Sequence, residues 1–137
     1  MAKQLRVLLI EDDRIEIMKL NRVISSLKLN HKIIEANNGE EALKILNKKD
    51  NRPDIILLDL NMPKLNGIEF LSILKNNDTL KYIPTIILTT SNNLKDLLEC
   101  YKIGISGYVL KPLKYADYVS KIEKTLSYWS INELINA

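Results

Sequence analysis

Carboxylates, a lysine and a hydroxyl recur in this chain where short apolar runs stop. Glu11-Asp12-Asp13 follows RVLLI, Asp59 follows IILL, Thr89-Thr90-Ser91 closes the run that opens at Thr85, and Lys111-Pro112 follows GYVL. If Glu11, Asp12 and Asp59 share one crevice, their mutual repulsion raises each carboxyl pKa unless a cation sits among them. Oxygen ligands alone select a hard ion, so Mg²⁺ is the expected metal and Mn²⁺ its substitute. A carboxylate beside such an ion, with an ammonium and a hydroxyl in reach, is equipped for phosphoryl transfer. Asp59 can act as the nucleophile, Lys111 can offset charge on the phosphoryl oxygens, and Thr89 can donate a hydrogen bond to one of them. A lone Asp after a strand is more often a helix cap, and Asp13 reads that way ahead of a helix beginning near Arg14. His31, the sole histidine, lies far from these run ends, which excludes imidazole ligation and His-based acid–base catalysis. There is no GxxxxGK[ST] loop and no GxGxxG turn, so the phosphoryl donor must be another molecule.

These groups meet only if the runs are neighbouring strands. Leu5 to Ile10, Ile55 to Leu58, Thr85 to Thr89 and Tyr108 to Leu110 are apolar on both faces, as parallel strands covered by helices require. Ile33 to Ala36 is a weaker strand candidate. Between the runs the period becomes helical: Ile17, Leu20, Ile24 and Leu27; Ala42, Leu43, Ile45 and Leu46; Ile68, Leu71 and Leu74; Leu94, Leu97, Leu98 and Tyr101. The last stripe is Tyr115, Val119, Ile122, Leu126 and Trp129. Five strands alternating with five helices predict a right-handed, doubly wound α/β sandwich. In the common strand order 2-1-3-4-5 the direction of winding reverses between strands one and three, and ligands bind there, outside the carboxyl ends of the strands. Those are the two strands that end in carboxylates.

Composition sets the outer bounds. The 137 residues are 46% hydrophobic and 27% charged, which suits one domain with its own core. A single cysteine excludes a disulfide framework and a zinc cluster and fits a reducing cytoplasm. No apolar stretch approaches the ~20 residues of a membrane helix, and the N-terminal run is too short for an export signal. A net charge of +3 without a basic block argues against DNA as a partner.

The segments LLIEDD, DIILLDLNMPKLNG, PTIILTTS and GYVLKP resemble, in order and spacing, the signatures of bacterial two-component response-regulator receiver domains, across about residues 5 to 128. The resemblance is to stand-alone regulators of the chemotaxis type. LTTSNN and Tyr128-Trp129 are similar to those that partner bacteriophytochrome kinases. It implies a flavodoxin-like fold, with Asp12 as direct metal ligand, Glu11 as water-mediated ligand, Asp59 as phosphoacceptor and the Asn61 carbonyl completing the shell. It further implies Thr89 as switch hydroxyl, Tyr108 as switch aromatic, Lys111 as the site lysine, and a cis peptide before Pro112. Met62-Pro63 and Asn66-Gly67 match the loop after the acceptor. Thr90 departs from the pattern, since that position is usually small, and its bulk bears on the lifetime of the phosphorylated form.

The implied donor is a sensor histidine kinase or histidine phosphotransfer protein. The implied output is a contact with a downstream protein, made by the fourth helix, fifth strand and fifth helix near Tyr101, Tyr115, Tyr118 and Trp129. On this reading residues 1–129 form the receiver domain. Residues 130–137, too few for an output domain, are a docked tail or a homodimer contact. Three other readings are weaker. A metabolite phosphatase would carry a second acid where Asn61 stands, a flavin electron carrier would not place acids after its first strand, and an unphosphorylated adaptor would not need the full acid, hydroxyl and lysine set.

Overall fold

Apolar runs of four or five residues cannot satisfy their backbone groups alone, and here they do so by pairing into one sheet. The computed structural model describes residues 3–50, 52–62 and 65–135. In chain order the elements are β1 (Arg6–Ile10), α1 (Arg14–Ser26), β2 (Lys32–Ala36), α2 (Gly39–Leu46), β3 (Ile55–Leu58), α3 (Gly67–Lys75), β4 (Thr85–Thr89), α4 (Leu94–Ile103), β5 (Gly107–Leu110) and α5 (Tyr115–Ser130). A 3₁₀ turn at Leu80–Tyr82, which the periodicity did not signal, leads into β4. All strand pairs are parallel, and the sheet order is β2-β1-β3-β4-β5, as expected.

Side chains alternate across a strand, so each strand feeds two cores. Leu8, Ile10, Ile56, Leu58 and Ile87 face Ala42, Leu46, Phe70, Leu71, Leu74 and Cys100 of α2, α3 and α4. Val7, Leu9, Ile55, Leu57, Ile86 and Leu88 face Ile17, Leu20, Val23, Tyr118, Ile122 and Leu126 of α1 and α5. Register aligns Ile10 with Leu58, so β1 and β3 end level and release Glu11 and Asp59 at the same edge.

Four of the five α-helix starts are fixed by short polar caps, α5 following Lys114 without one. Asp13 Oδ1 accepts from the Ile15 N–H at 2.9 Å, Asn38 from Glu41, Asn66 from Glu69 and Asn93 from Lys95. Asp13 is therefore a cap, as its spacing suggested.

Three expectations need correction. The α4 stripe does not face the core: Leu94, Leu98 and Tyr101 are exposed, and Cys100 is the buried residue of that helix. On α5 the buried row is Tyr118, Ile122, Leu126 and Ser130, so Tyr118 packs in the core instead of standing at the expected output face, whereas Tyr115 leaves the core stripe and is exposed. The cis peptide before Pro112 is also absent, since no peptide bond among the described residues is cis. Trans is the intrinsically favoured X-Pro isomer by about 0.5–1 kcal/mol, and Lys111 reaches its partners with the bond trans. Helix α5 runs through Ser130, whose carbonyl accepts from the Lys3 N–H at 3.0 Å, and Leu134 packs on the core beyond it. Pro63 and the last two residues of the tail lie outside the described residues.

Candidate functional site

Glu11 leaves β1 with its N–H donated to the Ala36 carbonyl, and Asp59 leaves β3 with its N–H donated to the Ile10 carbonyl, so the ladder itself aims both acids. Carboxylate oxygens of Glu11, Asp12 and Asp59 lie within 4.8 Å of one another. Glu11 and Asp59 are buried, while Asp12 is exposed and open to solvent ligands. The oxygens line a pocket of about 580 Å³ together with Asp13, Glu16, Lys19, Asn61, Thr90 and Lys111.

On the opposite wall, the Lys111 backbone N–H is held by the Thr89 carbonyl at 2.8 Å. The Lys111 side chain is only 6% exposed, and its Nζ donates to Glu11 Oε1 at 2.6 Å. It also lies 3.0 Å from Glu16 Oε1. The lysine thus faces the acid cluster, but its short contacts are with Glu11 and Glu16 rather than with Asp59.

The electrostatics follow from this packing. Burial and the neighbouring Asp59 charge push the Glu11 carboxyl up to about 7, against the pull of Lys111. Burial would lower the Lys111 ammonium, yet the hydrogen bond and charge of Glu11, with Asp59 and Glu16, hold it above the ordinary lysine value. Burial likewise opposes ionisation of Glu16, but Lys111 and Lys19 outweigh it and keep that carboxyl below its usual range. Two buried acids and an exposed one converge with all-oxygen donors and carry more negative charge than one ammonium balances. That donor set fits a hard divalent cation.

Thr89 and Tyr108 meet at one residue. The buried Thr89 hydroxyl accepts from the Ser91 N–H at 3.3 Å, and the Tyr108 hydroxyl donates to the Ser91 carbonyl at 2.8 Å. The Tyr108 ring is half-buried and packs against the core. Thr90, rather than Thr89, lines the pocket.

Asn61 lines the pocket as expected, and His31 lies elsewhere, its Nδ1 accepting from the Leu5 N–H at 2.9 Å. Glu16 and Lys19 are pocket residues that the sequence reading missed. Glu16 lies in the first turn of α1 and Lys19 in the second, and the available signal was their spacing from Asp12: the first turns of a helix capped at Asp13 rise beside the acid cluster.

Comparison with known proteins gives a consistent result. The model of the response regulator receiver domain family matches residues 7–123. Response regulator Rcp1 of Synechocystis sp. is 32% identical over 128 residues, covering 90% of this chain and 87% of its own length. The crystal structure of the phosphorylated cyanobacterial phytochrome response regulator RcpA superposes with a TM-score of 0.89 at 29% identity, over 96% of this chain and 99% of that one. The Mn²⁺-bound form of Rcp1 superposes with a TM-score of 0.87 at 30% identity, over 97% and 99% of the two chains. The matched span carries every strand end that builds the acid cluster and seats Lys111, and the chain belongs to the response regulator receiver domain family.

Proposed function

We propose that this receiver domain takes a phosphoryl group from a phosphohistidine onto Asp59, the donor being a sensor histidine kinase or a histidine phosphotransfer protein. The convergence of Glu11, Asp12 and Asp59 oxygens within 4.8 Å on a pocket lined by Lys111 carries this reading. An Asp59 oxygen attacks phosphorus, the P–N bond breaks, and its electron pair stays on the imidazole nitrogen, which takes up a proton. Glu11, Asp12, Asp59 and the Asn61 carbonyl would hold Mg²⁺, for which Mn²⁺ can substitute, as the Mn²⁺-bound form of Rcp1 supports. When bound there, the cation would offset charge on the transferred oxygens. Lys111 and the Thr89 hydroxyl donate hydrogen bonds to those oxygens. In the reverse half of the cycle a water attacks phosphorus, the P–O bond to Asp59 breaks, and inorganic phosphate leaves with the carboxylate restored.

Drawing Thr89 toward the phosphoryl group breaks its tie to Ser91 and biases the position of Tyr108, a two-state element set by a local charge change. The output is a protein contact made by α4, β5 and α5, where Leu94, Leu98, Tyr101 and Leu110 stand exposed. Residues 1–129 form the receiver domain; of the 130–137 segment, Ser130 completes α5 and Leu134 packs on the core. The site of action is the cytoplasm; among the described residues no helix is long and apolar enough to cross a membrane. Asp59→Asn is expected to abolish labelling by acetyl phosphate or a phosphorylated kinase, and native labelling in that variant overturns the assignment. Sedimentation with and without beryllofluoride, a phosphoryl mimic, tells whether the output face pairs two copies or awaits another protein.

A further inference from the structure

Lys111 carries three N–H donors, and two of them are committed to Glu11 and Glu16 at 2.6 and 3.0 Å. The two anchors differ in what a cation does to them. Glu11 belongs to the acid cluster, so a divalent ion draws on the same carboxylate that holds the lysine. Glu16 lies outside that cluster, on the third residue of α1, and is tied independently by Lys19 at 3.2 Å. Lys19 is itself fixed, its ammonium 4.5 Å from the ring centroid of Tyr118, which is buried on α5. We infer that Glu16 is a positioning residue: once Glu11 is engaged by the metal, it keeps the Lys111 ammonium inside the pocket with N–H donors left for the phosphoryl oxygens.

This rests on Asp59 being the phosphoacceptor, because only then do those donors of Lys111 have an oxygen to meet. The geometry supplies a route for the constraint, from Tyr118 on α5 through Lys19 and Glu16 of α1 to Lys111 at the end of β5. An ammonium on a four-carbon stem loses this aim readily, and the anchor's value lies in removing that freedom before the phosphoryl group arrives.

The test is beryllofluoride binding at saturating Mg²⁺, followed by calorimetry, with a parallel NMR record of the Lys111 ammonium protons. Wild type is expected to bind and to show those protons protected from exchange. Glu16→Ala is expected to bind about tenfold more weakly and to lose the protected signal, while its thermal midpoint stays near that of wild type. Glu16→Gln keeps an oxygen that accepts from Nζ and is expected to recover most of the affinity. Glu16→Ala binding within twofold of wild type overturns the inference, as does Glu16→Gln being as weak as Glu16→Ala, which would make the effect one of charge alone. Failure of wild type to bind beryllofluoride at all counts instead against Asp59 as acceptor.

Discussion

The Lys111 ammonium is enclosed with Glu11, and neither side chain is more than 6% exposed. Removing one member of such a pair strands the other. Lys111→Ala is expected to cost about 2 kcal/mol in the metal-free protein, below the ~3 kcal/mol of a buried pair whose survivor must stay charged. The cost is capped because burial already pushes Glu11 up to about 7, so it can take a proton once the lysine is gone. Mg²⁺ supplies the missing counter-charge and is expected to raise the stability of Lys111→Ala more than that of wild type. Equal increments in urea unfolding with and without Mg²⁺ contradict this. At Thr90, which lines the pocket, truncation to Ala opens space for the attacking water. The phosphorylated form should then decay severalfold faster, as followed by loss of label from Asp59; an unchanged half-life removes Thr90 from the account. Glu11, Asp12, Asp59 and Lys111 were legible in the sequence because each stands directly after an apolar run, and parallel strands bring such positions to one edge. Glu16 was not. Its partner is 95 positions away, and only the packing of α1 beside α5, which begins shortly after Lys111, makes the two meet.

At the scale of elements, the loop after Asp59 must turn back under β3 so that α3 can start against it. A Cβ at Gly67 would stand 2.7 Å from both the Asp59 carbonyl oxygen and the Leu60 Cα, while the Gly67 N–H donates to the Leu60 carbonyl. Backbone cannot yield as a flexible side chain can. Gly67→Ala is therefore expected to lose about 1–3 kcal/mol and to slow labelling of Asp59 as the strand end shifts. Native stability with native labelling would show that the loop has room. Strands β1, β3 and β4 were readable because burial on both faces builds each around a run of Ile, Leu and Val, while the less buried β2 and β5 still form over their whole length. Helix α4 was misread for a physical reason. It packs through Cys100 and Ile103 alone, so the period-3.6 row of Leu94, Leu98 and Tyr101 falls on its outer side, and periodicity cannot say which side of a helix meets the sheet.

Across the whole molecule the two edges of the sheet are divided in role. The carboxyl edge gathers charge for chemistry, whereas the amino edge holds the ends of the chain together. There the Lys3 N–H donates to Ser130, the Arg6 N–H to Asp54, and the Leu5 N–H to His31. His31 is the imidazole of that edge, and its Nδ1 accepts from the Leu5 N–H only while unprotonated. Burial lowers its pKa below the ordinary 6.5. The unfolded chain therefore takes up a proton at His31 before the native protein does. Stability from this residue is fully present above about 6.5 and is lost as pH falls below that value, until the native imidazole also protonates. The slope from one such proton is at most about 1.4 kcal/mol per pH unit. His31→Asn keeps an acceptor, its Oδ1, where Nδ1 stands for the Leu5 N–H, but does not titrate. Every other acid titrates in both proteins, so the stability difference between wild type and variant isolates His31. Urea unfolding from pH 7.5 to 5 should show that difference moving against wild type below about pH 6.5, with labelling of Asp59 at neutral pH unchanged in the variant. A flat difference would mean that the imidazole is as free to protonate in the folded protein as in the unfolded chain, and that His31 lends the amino edge no pH sensitivity.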